Sequence, residues 1–377
     1  MTRRRSAGPR FGLVVTAMIL AASSCREEES LSIGYVGTLS GRYFQLGISA
    51  RDGFLTAVKE VNDAGGVNGC RVHALIENDM GIPEECERKM RSLFDSGVVA
   101  IVGPLTSNMI SAVRDVAGPG TLVVSPTMTT EALTGLDDGF LRVIPDTGSQ
   151  GRIAAGLLTR RNVASASVVC DESNSQYSAE VSSAFRDYFC DENHRILGVY
   201  QYGGDQNGYF DRIVRDLTAE GPEAVVLATS GTDAAMIVQS LRKSGYEGLV
   251  VGSLWVRMPD FLAHGGRTAE GVLTVGTPVP SDATEGYLDF AAVYEEQFGR
   301  SPDFAALYSY EATLAILAAA EGLKDVRPDS VKAALLGSSF DMVGGHVYID
   351  DFGDAERLQG YSIVSDGKFV DYAYEDP

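Results

Sequence analysis

Two short apolar runs that stop abruptly at hydroxyl residues constrain this chain most. The first is Ala100-Ile101-Val102-Gly103-Pro104-Leu105-Thr106-Ser107, and the second is Val123-Val124-Ser125-Pro126-Thr127-Met128-Thr129-Thr130. A parallel strand covered on both faces reads as an unbroken apolar run. In an open α/β sheet, ligands sit just beyond the carboxyl ends of such strands. Ser and Thr hydroxyls there, beside free amides at helix starts, form a seat for a small anionic group such as a carboxylate. The pattern suits a chain that holds a small molecule.

Strand and helix signals alternate almost throughout. Residues 31–37, 71–78, 98–103 and 121–125 read as strands. Residues 44–64 carry Leu46, Ala50, Phe54, Ala57, Val58 and Val61 at helical spacing, and Pro83 opens another helix. The pattern restarts with strands at 165–170, 196–200, 224–229 and 249–252, separated by helices near 176–189, 208–219 and 232–244. Repeated βα units predict doubly wound parallel sheets. Three helices follow at 283–298, 303–323 and 328–337. A tail of short strands then runs through 346–349, 361–364 and 368–370. At 377 residues the chain is too long for one core. The expected fold is α/β, with two doubly wound parallel-sheet lobes. Lobe 1 takes residues 31–144 and 278–342, and lobe 2 takes 145–277 and 343–377. The chain is expected to cross between them near 142–145, 274–280 and 341–345, where Gly or Pro recurs.

The amino terminus reads as a targeting segment. Arg3, Arg4, Arg5 and Arg10 precede an apolar stretch from Phe11 to Ala22, too short for a comfortable membrane span. It ends in Ala21-Ala22-Ser23-Ser24-Cys25, which resembles a bacterial lipoprotein signal, although Ala22 stands where Leu is usual. That resemblance makes residues 1–25 a signal peptide with Cys25 as the lipidated residue. It also implies a location in the periplasm or at the cell surface. Exported cysteines can pair, but Cys70, Cys86, Cys170 and Cys190 fit no zinc spacing. The antiparallel run of helix after strand would keep Cys170 from Cys190. Buried free thiols are one expectation for the four, and pairing the other. The formal net charge of −20 disfavours nucleic acid and anionic membrane surfaces as partners. Four scattered histidines, no HExxH, no GxSxG and no GxxxxGK[ST] argue against an enzyme, and no metal or cofactor is expected.

In order and spacing, several motifs resemble the type I periplasmic binding proteins, specifically the leucine/isoleucine/valine-binding proteins of ABC importers. They are Ser32-Ile33-Gly34-Tyr35-Val36-Gly37-Thr38-Leu39-Ser40-Gly41, Val61-Asn62-Asp63-Ala64-Gly65-Gly66-Val67-Asn68-Gly69, Val102-Gly103-Pro104, Ser125-Pro126, Ala269-Glu270-Gly271-Val272 and Tyr310-Glu311-Ala312. The resemblance spans roughly residues 31 to 375. It implies two lobes joined by three crossing strands, closing on a ligand by hinge motion. The expected partners are a small-molecule ligand and a membrane permease, alongside the lipid anchor.

The resemblance also assigns site residues. Ser107 takes the carboxylate-binding position, with Thr127, Met128 and Thr129 supplying hydroxyl and backbone groups. Tyr177 is the tyrosine that closes on the ligand, and Ser230 stands where a second tyrosine is usual. Tyr43 follows the first strand's turn, where the family approaches ligand. One position departs from the pattern. The family's ammonium-binding acid lies in a Gly-x-(Asp/Glu) turn, but here the turn reads Gly252-Ser253-Leu254-Trp255, and Trp255, the only tryptophan, is expected to contact the ligand by stacking on an aromatic ring or a cation. Either Asp171, Asp233 or Glu311 replaces that acid, or the ligand lacks an α-ammonium. The expected ligand is a small carboxylate, an amino acid of branched-chain type, and the alternative is an aromatic or other non-amino carboxylate or amide. Bland roles are open too: Ser107 and Thr129 could cap helices, and Tyr43, Tyr177 and Trp255 could simply pack. A ligand-sensing module of the same fold is the alternative to transport.

Overall fold

The computed structural model describes residues 30–203, 209–278 and 285–372. Cys25 and the leader lie outside the described residues. The amino-terminal half runs β1 (Leu31–Gly37), α1 (Phe44–Asp63), β2 (Val72–Asn78), α2 (Pro83–Asp95), β3 (Ile101–Val102), α3 (Ile110–Val116), β4 (Val123–Ser125) and β5 (Phe140–Arg142). The middle runs α4 (Thr147–Arg160), β6 (Ser165–Asp171), α5 (Ser175–Phe189), β7 (Arg195–Tyr202), α6 (Tyr209–Glu220), β8 (Ala224–Ala228), α7 (Gly231–Lys243), β9 (Leu249–Gly252), α8 (Pro259–Gly265) and β10 (Leu273–Gly276). The remainder is α9 (Glu285–Phe298), α10 (Phe304–Ala320), α11 (Pro328–Leu335), β11 (Ser338–Met342), β12 (Gly345–Ile349), β13 (Ala355–Arg357), β14 (Gly360–Ser365) and β15 (Lys368–Asp371).

The first sheet has the order β2-β1-β3-β4-β5, all parallel. Successive side chains leave a strand on opposite faces, and the sequence uses both. Tyr35, Val102, Val124 and Leu141 pack under α1 and α10, while Val36, Ile101, Val123 and Phe140 pack under α2 and α3. Gly53 allows α1 and α10 to touch, since a Cβ there would lie 1.9 Å from the Ala306 carbonyl oxygen. Gly103 ends β3 at φ +113°, where a Cβ would lie 2.0 Å from the Val36 oxygen.

The second sheet has the order β15-β14-β10-β9-β8-β6-β7, with β14 and β15 antiparallel and the rest parallel. Val168, Val226 and Val251 face α4 and α5, and Val169, Val225 and Val250 face α6, α7 and α8. Each sheet is thus a buried layer between helices, the doubly wound arrangement that the alternation of signals predicts.

The chain passes between the sheets after β5, after β10 and after β13. This last passage corrects the expected one near 341–345. β12 and β13 pair with β11 as a three-stranded antiparallel sheet, and Ile349 enters the first sheet's core. Arg142 pairs with Asp354 at 2.5 Å, and its backbone N–H donates to the Gly353 carbonyl. Residues 343–357 therefore pack on the first lobe, and only β14 and β15 join the second. The four described cysteines are all free. Cys86 and Cys170 are buried, but Cys190 is exposed and Cys70 half-buried. Among the described residues no helix is long and apolar enough to cross a membrane.

Candidate functional site

The carboxyl ends of the two parallel sheets face each other, and the loops that leave them enclose a cavity. From the first lobe, Thr106 and Ser107 follow β3, Thr127 and Thr129 follow β4, and Leu46 and Phe304 begin α1 and α10. From the second, Asn174 and Tyr177 follow β6, Leu254 and Trp255 follow β9, and Gln150 lies in the first turns of α4.

The polar groups divide into those already engaged and those free for a ligand. Ser107 opens a 3₁₀ turn that runs directly into α3. Its hydroxyl and its backbone N–H have no hydrogen-bond partner among the described residues, so it does not serve as a helix cap. Thr127 donates to the Leu105 carbonyl at 2.8 Å. Thr129 accepts from Thr147 at 2.7 Å, which turns its own hydroxyl hydrogen outward. The Thr129 carbonyl is held by the Thr147 N–H at 2.7 Å and by Arg142 Nη1 at 3.1 Å. Arg142 is 1 % exposed and also grips the carbonyl of Thr130, so it fixes the loop that presents both threonines.

On the second lobe, the Tyr177 hydroxyl donates to Gln150 Oε1 at 2.7 Å, and the Leu254 N–H donates to the same oxygen at 3.0 Å. Burial pushes the Tyr177 hydroxyl up to about 12, so it remains a donor at neutral pH. Its ring meets Trp255 edge-on at 5.6 Å. Gln150 was not singled out by sequence reasoning. Its only local signal is a polar residue in the first turns of a buried helix.

Of the eight expected contact residues, Ser107, Thr127, Thr129, Tyr177 and Trp255 line this cavity. Tyr43 and Ser230 line a neighbouring crevice that shares Leu46 and Trp255 with it. Tyr43 meets Trp255 edge-on, with the ring centroids 4.8 Å apart, and Ser230 caps α7 by accepting from the Asp233 N–H at 3.3 Å. Met128 does not line either space. Its side chain is in the α2–α3 core, and its N–H is taken by Ser125 Oγ at 2.9 Å.

Among the described residues no acid lines the cavity. Asp171 is fully buried and engaged by Tyr43 (2.6 Å) and Arg42 (3.2 Å). Burial raises its carboxyl, against Tyr43 and Arg42, which lower it. Asp233 is held by Arg42 at 2.9 Å and by Tyr202 at 2.9 Å. Glu311 is committed to Arg357 at 2.7 Å and to the Gly344 N–H, tying α10 to the β11–β12 turn. All three candidates to replace the missing acid are occupied elsewhere.

Contacts across the cleft close it. Arg42 and Tyr43 reach Asp171 and Asp233 on one side. On another, Asn108 Nδ2 donates to the Ser173 carbonyl at 2.5 Å, and the Gln176 N–H donates to Asn108 Oδ1 at 3.2 Å. Thr130 and the Glu131 N–H both donate to Glu180. Leu254 and Met258 of the second lobe are buried in the first lobe's core cluster.

Comparison with known proteins agrees with this geometry. The leucine-, isoleucine-, valine-, threonine- and alanine-binding protein of Pseudomonas aeruginosa is 22% identical over 359 residues, 93% of this chain and 94% of that protein. A leucine-binding protein from Thermotoga maritima superposes with a TM-score of 0.80 at 21% identity, over 91% of this chain and 98% of that one. A solute-binding protein of an ABC transporter from Rhodopseudomonas palustris, solved with 3,4-dihydroxybenzoic acid, gives 0.83 at 17% identity, over 92% and 99%. Two sheets with a closed cleft at their carboxyl ends are accompanied by a match of residues 30–363 to the family described as periplasmic binding protein, and the chain belongs to that family.

Proposed function

We propose that the protein is an extracytoplasmic solute receptor of an ABC importer, and that its ligand is a small carboxylate with an apolar or aromatic body and no α-ammonium. The observation that carries this reading is the cavity's polar lining: hydroxyls and amides, with no acid. The unpartnered Ser107 hydroxyl and N–H and the outward Thr129 hydroxyl suit a carboxylate. Leu46, Leu254, Ile144, Phe304 and Trp255 suit an apolar body. An ammonium enclosed here without a carboxylate would cost several kcal/mol. The relative solved with 3,4-dihydroxybenzoic acid fits this reading. Lipidation at Cys25 would tether the receptor to a membrane beside its permease.

Amino-acid binding is the second reading, favoured by the name of the P. aeruginosa relative. Leucine and 4-methylpentanoate differ only in the ammonium, so they separate the two. Calorimetry on the purified protein should show one equivalent of 4-methylpentanoate or benzoate bound, and leucine weaker by about a hundredfold or more, the equivalent of ~3 kcal/mol. Leucine binding more tightly than its deaminated analogue would establish the second reading instead.

A further inference from the structure

Phe304 lines the ligand cavity and also a second, larger crevice between the lobes. The first-lobe wall carries Arg300, Asp303, Leu307 and Tyr308. The second-lobe wall carries Arg257, Pro259, Leu262, Lys368 and Phe369.

Arg257 is the unusual member of this lining. It is 7% exposed. Its Nη2 donates to the Thr277 carbonyl at 2.5 Å, and its Nε has no hydrogen-bond partner. No carboxylate forms an ion pair with it among the described residues. Burial works against its charge, and the fields of Tyr308, Asp371 and Tyr177 offset that in part. The other ionic groups of the wall are differently placed. Arg300 pairs with Asp52 at 2.7 Å, a carboxylate it shares with Arg51. Asp303 caps α10 through the Ala305 and Ala306 amides. Asp260 accepts from Thr232 at 3.3 Å, and Lys368 is exposed.

A buried guanidinium with most of its donors unused is costly unless an anion meets it. Its planar fork matches a carboxylate. Asp260 and Asp303 in the same wall oppose a dianion such as phosphate, and the Leu, Pro and Phe side chains would cover a hydrocarbon body. We propose that this crevice is a second carboxylate-binding site, in which Arg257 pairs with the carboxylate of an aliphatic or aromatic acid. The site does not depend on which ligand fills the first cavity. Its carboxylate has two sources: a free acid, or the far end of a longer ligand seated against Ser107.

Calorimetric titration with benzoate and with octanedioate tests this on the wild type, Arg257→Gln, Arg257→Lys and Ser107→Ala. For a free acid, benzoate binding that survives Ser107→Ala disappears in Arg257→Gln and is partly kept in Arg257→Lys. For a longer ligand, the wild type prefers octanedioate over benzoate by about tenfold or more, and Arg257→Gln abolishes the preference. The proposal is overturned if folded Arg257→Gln retains both the benzoate stoichiometry and the octanedioate preference of the wild type. It is equally overturned, with no variant at Arg257 needed, if Ser107→Ala removes all carboxylate binding and the wild type shows no such preference. Failure of the first-cavity reading registers separately, as insensitivity to Ser107→Ala.

Discussion

At the scale of single residues, the ligand cavity separates groups that hold the protein together from groups left over for a ligand. Ser107 belongs to the second kind, since its hydroxyl makes no hydrogen bond among the described residues. Ser107→Ala should therefore leave the melting temperature of the free protein unchanged, yet weaken carboxylate binding by about ten- to a hundredfold, the worth of one hydrogen bond to a charged group. Gln150→Leu should behave differently, because Gln150 accepts from both Tyr177 and Leu254. Removing that acceptor strands two buried donors and should cost about 1–3 kcal/mol of stability, read by denaturant unfolding. Leu254 decides the ammonium question. It lines the cavity where relatives of the resembled subgroup place an acid, so Leu254→Glu should shift the ratio of leucine to 4-methylpentanoate affinity toward leucine by about a hundredfold, a ratio that cancels any loss of closure from burying a charge there. Unchanged discrimination would show that this position does not govern ligand class. Ser107, Thr127 and Thr129 were legible in the sequence because each directly follows an apolar strand. Gln150 was not, because what recruits it is an acceptor shared by two segments far apart in sequence.

At the scale of elements, the alternation of apolar runs and helical periodicity located nearly every strand and helix of both sheets, since buried parallel strands leave an unmistakable continuous pattern. It failed at 343–357. There the strands are short and amphipathic, and the tail's alternation is the same whether a strand joins β11 or β10, so pairing depends on contacts such as Arg142–Asp354 that no local pattern encodes. The cross-cleft contacts were equally hidden, because Arg42 lies in the turn before α1, Asp171 at the end of β6 and Asp233 in the first turn of α7, far apart in sequence. Their chemistry has a definite pH consequence. Burial raises the Asp171 carboxyl above its ordinary range in the closed form. Asp171 ends β6 at the cleft, where opening would return it to water. A carboxyl whose pKa is higher in the closed form binds protons as the lobes close, so lowering the pH from neutral toward the ordinary Asp range should favour closure. Ligand binding should accordingly take up a fraction of a proton as the pH falls from neutral toward the ordinary Asp range, seen as a dependence of the calorimetric enthalpy on the buffer's ionisation heat. Proton release on binding would mean that Arg42, and not burial, dominates Asp171.

At the scale of the whole molecule, closure is supported by contacts that involve no ligand. Leu254 and Met258 enter the first lobe's core, and Arg42 spans the cleft to two carboxylates. Apparent affinity scales with the fraction of molecules in the binding-competent form, so these contacts add to affinity without touching the ligand. Arg42 is 40% exposed, which limits its pairs to about 0–1 kcal/mol and makes them sensitive to salt. Raising sodium chloride from about 0.05 to about 0.5 M should therefore weaken binding up to about fivefold in the wild type. A carboxylate ligand will be screened as well, but equally in both proteins, so the difference between wild type and Arg42→Ala isolates the bridge. Arg42→Ala should begin several-fold weaker and lose less on addition of salt. The change should lie mainly in the dissociation rate, since the bridge acts after encounter. Trp255 is the chain's single tryptophan and forms part of the cavity wall, so its fluorescence in stopped-flow mixing reports both rates directly. An equal salt response in the two proteins would mean that the bridge plays no part in closure, and that apolar burial of Leu254 and Met258 holds the lobes together.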